Sequence, residues 1–157
     1  PNLIDEFSTP YVQKIREAVE DENFVVMYHN CGNITPLMQN ISDIDAVAYS
    51  VGNAIDIEEA LKVIPADKMI IGNIDPAGTI RNGNPETVYK ETTDLLERCG
   101  KYPNFVIASG CDIPPVSPME NIEAFFDAVI RGYILYITKT VSLSFSGTVL
   151  ALNRYIF

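Results

Sequence analysis

The stretch "MYHNCGN", residues 27–33, holds the single histidine of the chain, His29, two positions before Cys31. Imidazole and thiolate are both good ligands for a borderline-soft cation such as Zn²⁺. A second cysteine, Cys111, lies in "SGCDIPP" (109–115), and the third, Cys99, in "ERCG" (97–100). One histidine with two cysteines would make a sulfur-two, nitrogen-one set. Three protein ligands leave a fourth position open, which is the arrangement of a catalytic rather than a structural zinc site. A plainer reading stands beside this one. Buried cysteine is common, and a histidine after a strand often only bonds a backbone carbonyl. The choice depends on whether the fold brings His29, Cys31 and Cys111 to one place.

The elements that must do so are legible as an alternation. Ser8 to about Glu22 reads as a helix, with Ser8 or Thr9 as cap, Pro10 in the first turn, and Val12, Ile15, Ala18 and Val19 at helical spacing. "FVVMY" (24–28) is a short apolar, β-branched run of the kind a buried parallel strand needs. "TPLMQNI" (35–41) is a short helix, "AVAYS" (46–50) a strand, and "DIEEALKVI" (56–64) a helix capped by Asp56. "MIIGNI" (69–74) is a third strand, followed by a long helix over 84–100 that Gly100 stops. "FVIAS" (105–109) is the fourth strand. The helix over 117–132 has Ser117 as cap, Pro118 at its first position and Glu120 completing a capping box.

Strands alternating with helices imply a parallel sheet with right-handed crossovers. Strand starts 22, 23 and 36 residues apart give barrel-like spacing. An eight-stranded TIM barrel takes about 250 residues, so 157 residues supply about half of one. The expectation is an α/β half-barrel of four βα units over 1–132, cut from a longer parent. In such folds functional side chains gather at the carboxyl ends of the strands. His29 and Cys31 follow the first strand, "GNIDP" (72–76) the third, and Cys111 the fourth, so all three candidate ligands fall on one rim. Cys99, near the end of the long helix, points away from that rim and reads as packing.

Composition narrows the partners. With 47% apolar and 20% charged residues the chain is an ordinary globular one. A formal charge of −10 repels phosphate backbones and anionic lipid, which argues against nucleic acid and membrane binding. There is no basic N-terminus leading into an apolar segment, so the reading is cytoplasmic, with reduced thiols open to metal. The tail, 133–157, differs: it has Lys139 and Arg154 and no acid, while all 21 acids precede it. Its window Thr138 to Phe145 is strand-like, so the tail reads either as foreign sequence or as an edge hairpin. Broken by Lys139 and Gly147, it is not a convincing membrane span.

"HNCGN", "GNIDP" and "GCDIPPVSPMENIEAFFDAV", in that order, resemble the C-terminal half of the uroporphyrinogen decarboxylase superfamily over about residues 8–131. Decarboxylases proper carry a glycine-histidine-glycine turn where this chain has Gly110-Cys111-Asp112. The cysteine there, with H-x-C upstream, resembles the cobalamin-dependent methyltransferase branch, such as the methylcobalamin:coenzyme M type. The resemblance implies zinc-ligand roles for His29, Cys31 and Cys111. It also implies a methylated corrinoid on a separate carrier protein docking over the barrel mouth, and a small thiol as methyl acceptor. Zinc binding deprotonates a thiol whose ordinary pKa is about 8.5. Two anionic cysteines leave a neutral centre that keeps such a thiolate nucleophilic, whereas an all-histidine site favours water activation.

Other rim residues have two readings each. Asn73 and Asp75 either face the pocket as substrate contacts or, for Asp75, begin a turn before Pro76. Asp112 is either an outer hydrogen-bond acceptor for the ligands or solvated. Gly32 and Gly110 permit tight turns or close ligand approach, and Tyr49, Ser50 and Asn53 stand where they could line the mouth. Two other functions compete. A decarboxylase-like lyase would want basic residues for its substrate's carboxylates, and near the rim only Arg81 is basic. A truncated or split-barrel subunit would bind zinc or a partner without turnover. Four strands leave two open edges, which two copies, the tail or the missing N-terminal half would have to cover.

Overall fold

A computed structural model describes residues 2–144, with side chains described for 3–135. Four strands form: β1 (Met27–Asn30), β2 (Ala48–Val51), β3 (Met69–Ile74) and β4 (Phe105–Ser109). They make one parallel sheet in the order β1-β2-β3-β4, so each strand pairs with its predecessor in sequence. Six α-helices accompany them: α1 (Asn2–Phe7), α2 (Thr9–Val19), α3 (Met38–Ser42), α4 (Ile57–Val63), α5 (Pro85–Cys99) and α6 (Met119–Ser144). This is the expected half of a (βα)₈ barrel.

The register sorts side chains onto two faces. Tyr28, Tyr49, Ile70 and Phe105 share one row, and the last three are buried under the helices. Packed into the same core are Ile57, Ala60 and Leu61 of α4, Val88, Leu95 and Cys99 of α5, and Ala124 and Phe125 of α6. The other face carries the row His29, Ser50, Ile71 and Val106. It is far less covered: Met27 below His29 is 52% exposed. In a closed barrel this is the inner wall.

Side-chain caps start α4 and α5. The Asp56 carboxylate accepts the Glu58 N–H at 3.0 Å, and the Asn84 side-chain oxygen accepts the Thr87 N–H at 2.9 Å. After Cys99 the Gly100 N–H closes onto the Leu96 carbonyl, as its position predicts.

Four expectations are corrected. The helix expected from Ser8 to about Glu22 is α2, which ends at Val19, and a further helix, α1, precedes it; Val12 packs on the core while Ile15 and Val19 face outward. The first strand begins at Met27, and Phe24 and Val25 are exposed lead-in. Ser117 does not cap α6: its hydroxyl donates to the Pro114 carbonyl at 2.7 Å, and the helix starts at Met119. The strand expected from Thr138 is instead α6, which continues to Ser144. A formed helix adds one hydrogen bond per residue it fixes, whereas β-propensity spans only about 1 kcal/mol and follows context. Residues 145–157, where the rest of the tail reading falls, lie outside the described residues. Among the described residues no helix is long and apolar enough to cross a membrane.

Candidate metal centre

Asn30 ends β1, and its side-chain oxygen accepts the Gly32 N–H at 2.9 Å, turning the chain sharply so that Cys31 sits at the rim. His29, one residue earlier, is on the inner face of the sheet. At the far edge, the Gly110 N–H donates to the Ile74 carbonyl at 2.8 Å, which extends the β3–β4 ladder by one rung and delivers Cys111. The ligating atoms of His29, Cys31 and Cys111 all lie within 4.8 Å of one another.

One pair of the candidate donors stands at the spacing that a tetrahedral zinc ion would require. Bond lengths of about 2.3 Å to sulfur and 2.05 Å to nitrogen put tetrahedral sulfur–nitrogen neighbours about 3.6 Å apart. Cys111 Sγ and His29 Nε2 are 3.5 Å apart. The other ring nitrogen, Nδ1, lies 3.0 Å from Ser50 Oγ on the adjacent strand, where Ser50 is the register partner of His29. A metal-binding imidazole characteristically has its second nitrogen held this way, leaving the first aimed at the ion. Cys31 and His29 are exposed and Cys111 half-buried, so the cluster is open to an incoming fourth ligand. Burial pushes the Cys111 thiol above its ordinary value, and the neighbouring Cys31 and the charge of Asp112 push it the same way. Two thiols and an imidazole brought together are the donor types that a zinc site uses.

Cys99 is fully buried on α5 and outside this cluster, as expected of packing. Asn73 sits at the rim but its amide group is occupied, donating to the Gly52 carbonyl at 3.0 Å and the Ile55 carbonyl at 2.8 Å. Asp75 caps a π-helical turn (Pro76–Arg81), its Oδ1 accepting the N–H groups of Ala77 and Gly78 at 2.9 and 2.8 Å. The turn reading of Asp75 is thus the one its geometry fills. Asp112 is exposed next to Cys111. An open groove of about 580 Å³ beside β3 is lined by Asn53, Asn73, Asp75, Thr79, Glu91 and Arg98. It contains none of the three candidate ligands, so the groove and the thiol–imidazole cluster are separate features. The sequence places Ser50 only near the mouth. Its role emerges from strand register, which no local motif displays.

Four parallel βα units define a partial TIM barrel, and its C-terminal rim carries a thiol–imidazole cluster that could hold a metal ion. The chain belongs to the uroporphyrinogen decarboxylase (URO-D) family, whose sequence profile matches residues 1–132. The methylcobamide:CoM methyltransferase MtbA of Methanosarcina mazei is 27% identical over 119 residues, covering 76% of this chain and 34% of that protein. The uroporphyrinogen decarboxylase of Prochlorococcus marinus is 30% identical over 130 residues, covering 81% and 36% respectively. Among solved structures, a methyltransferase from Methanosarcina mazei superposes with a TM-score of 0.73 at 28% identity, covering 85% of this chain and 38% of its own. The chain therefore spans about a third of the length of these relatives.

Proposed function

We propose that residues 1–132 form the zinc-bearing part of a corrinoid-dependent methyltransferase, moving a methyl group from a methylated corrinoid on a carrier protein to a small thiol. The observation that carries this reading is the meeting of His29, Cys31 and Cys111 within 4.8 Å on the rim. Zinc, when bound, supplies Lewis acidity that keeps an acceptor thiol ionised near neutral pH. The chain's own residues do the rest. Cys31 and Cys111 contribute two negative charges, which cancel that of the ion and leave an acceptor sulfur electron-rich. His29 contributes a neutral ligand whose ring is set by Ser50. The exposed side of the cluster faces the barrel mouth, where a thiol and a flat macrocycle can both approach. The sheet's inner wall and the edges at β1 and β4 would be completed by further βα units, so turnover belongs to the complete barrel.

The decarboxylase relative favours a second reading, a lyase of the same family. That reading gives the three converging ligand groups no task. A non-catalytic zinc-binding subunit uses the ligands but gives the open fourth position no task. The deciding experiment is zinc analysis of anaerobically purified chain by mass spectrometry, followed by zinc-edge X-ray absorption with and without a small thiol. One zinc per chain with two sulfur neighbours, rising to three on adding thiol, is the expected result. Absence of zinc would remove the methyltransferase reading in favour of the lyase; zinc with an unchanged sulfur count would favour the non-catalytic subunit.

A further inference from the structure

The three ligands come from opposite edges of the sheet. His29 and Cys31 follow β1, and Cys111 follows β4. In a flat sheet those strands are three spacings, about 14 Å, apart, yet the ligand atoms are within 4.8 Å. The curvature of the sheet, the reach of the side chains and the path of the two loops at the rim together close that gap.

The two loops meet over the loop that follows β2. The Gly52 N–H donates to the Asn30 carbonyl at 3.0 Å, laying Gly52 directly against Cys31. A Cβ on Gly52 would stand 2.6 Å from Cys31 Cα and 2.9 Å from its carbonyl oxygen, inside any permitted contact. From the other side, a Cβ on Gly110 would stand 2.7 Å from the Asn53 nitrogen and 3.2 Å from the Gly52 carbonyl carbon. The loop of Cys111 therefore rests on the same backbone segment as the loop of Cys31. Gly52 does not occupy the left-handed region, so its need to be glycine is one of space. The segment is pinned in turn by Asn73, whose amide holds the carbonyls of Gly52 and Ile55.

We propose that Gly52, fixed by Asn73, is the positioning residue of the metal centre: its bare Cα is the seat on which the Cys31 and Cys111 loops converge to one ion. This rests on the metal reading above. It assigns Asn73 a task other than substrate contact, and it singles out a glycine 21 residues from the nearest ligand in sequence.

The test is an anaerobic cobalt titration of the 157-residue chain, reading affinity and the thiolate-to-cobalt charge-transfer intensity per bound ion. Wild type should bind one cobalt with two-thiolate intensity. Gly52→Ala should lose at least about tenfold in affinity, the scale of outer-shell changes at metal sites, with intensity falling towards that of one thiolate. Gly132→Ala is the control. Gly132 is on α6, away from the three ligands in sequence, and a Cβ there meets only the end of the Leu96 side chain at 3.0 Å, so both readouts should stay at wild-type values. If circular dichroism shows Gly52→Ala unfolded, Asn73→Ala carries the test, because it adds no atom and frees the Gly52 carbonyl; the same loss is expected. A folded Gly52→Ala, or failing that Asn73→Ala, with wild-type affinity and intensity overturns the proposal. Wild type that binds no cobalt overturns the metal reading itself, an outcome told apart because the parent chain then fails with its variants.

Discussion

Ser50 Oγ stands 3.0 Å behind His29 Nδ1, in direct strand register, while His29 Nε2 faces Cys111 Sγ at 3.5 Å. One hydroxyl thus decides which ring nitrogen is presented to the cluster. Ser50→Ala should leave the apo fold intact, since Ser50 is on the less covered face of the sheet. It should weaken zinc binding by about 10- to 100-fold. Competition against a chromophoric chelator measures this directly. Affinity equal to wild type would show that the ring is oriented by packing alone.

Metal binding to the folded chain alone must raise its stability by mass action. At free zinc near 1,000 times the dissociation constant the gain is about 4 kcal/mol. The thermal midpoint of wild type should therefore rise on adding zinc and fall back with chelator, and Cys111→Ser should abolish most of the response. Cys99→Ala should lower the midpoint in both conditions, because it opens a hole in a fully buried position. It should leave the zinc-induced rise untouched. A lost response in Cys99→Ala would place that thiol, contrary to its position on α5, among the ligands.

The pH dependence of the fold has a named contributor. Lys101 and then Tyr102 hydrogen-bond the Glu58 carboxylate at 2.8 and 3.0 Å and hold it below its ordinary value of 4.5. A lowered carboxylate stabilises the native state above its unfolded pKa, so this contribution is complete above about 4.5 and disappears as pH falls through the lower native value. The Glu58 hydrogen bond raises Lys101 above 10.5, so the pair also weakens as pH climbs past that value. Thermal midpoints measured from neutral pH down to pH 3 should fall more shallowly in Glu58→Gln than in wild type. Parallel curves would assign the acid limb to other pairs, such as Asp45 with Lys68, whose carboxylate is likewise held low.

What could be read in advance follows the range of the forces involved. Strands β3 and β4 were legible to the residue because they are apolar runs with clear ends, and α4 and α5 because Asp56 and Asn84 cap them locally. The start of β1 was misplaced because the strand contains the polar pair His29–Asn30, needed at the rim, and its apolar lead-in Phe24–Val25 is exposed. The convergence of His29, Cys31 and Cys111 follows from residue type and shared position after strands. The sequence places Ser50 at the mouth but does not show its bond to His29, nor the packing of Gly52 on Cys31, since a register and a backbone contact between distant loops leave no trace in neighbouring residues. The extension of α6 past Thr138 was missed for a related reason: Val, Thr and Ser in a row favour a strand only where no helix is already growing into them.

The strand order has a consequence for the sequence of events in synthesis. Each strand's partner is the one made just before it, so every βα unit can dock as it emerges, without waiting for a distant segment. The donor set obeys a different schedule. Two donors arrive with the first strand and the last only with the fourth, 82 residues after the histidine. Until that strand docks there is no complete chelate, and a nascent chain offers zinc only the weak local pair His29 and Cys31. Under the metal reading proposed above, tight capture is reserved for a finished sheet, and a bound ion would certify that all four strands are home.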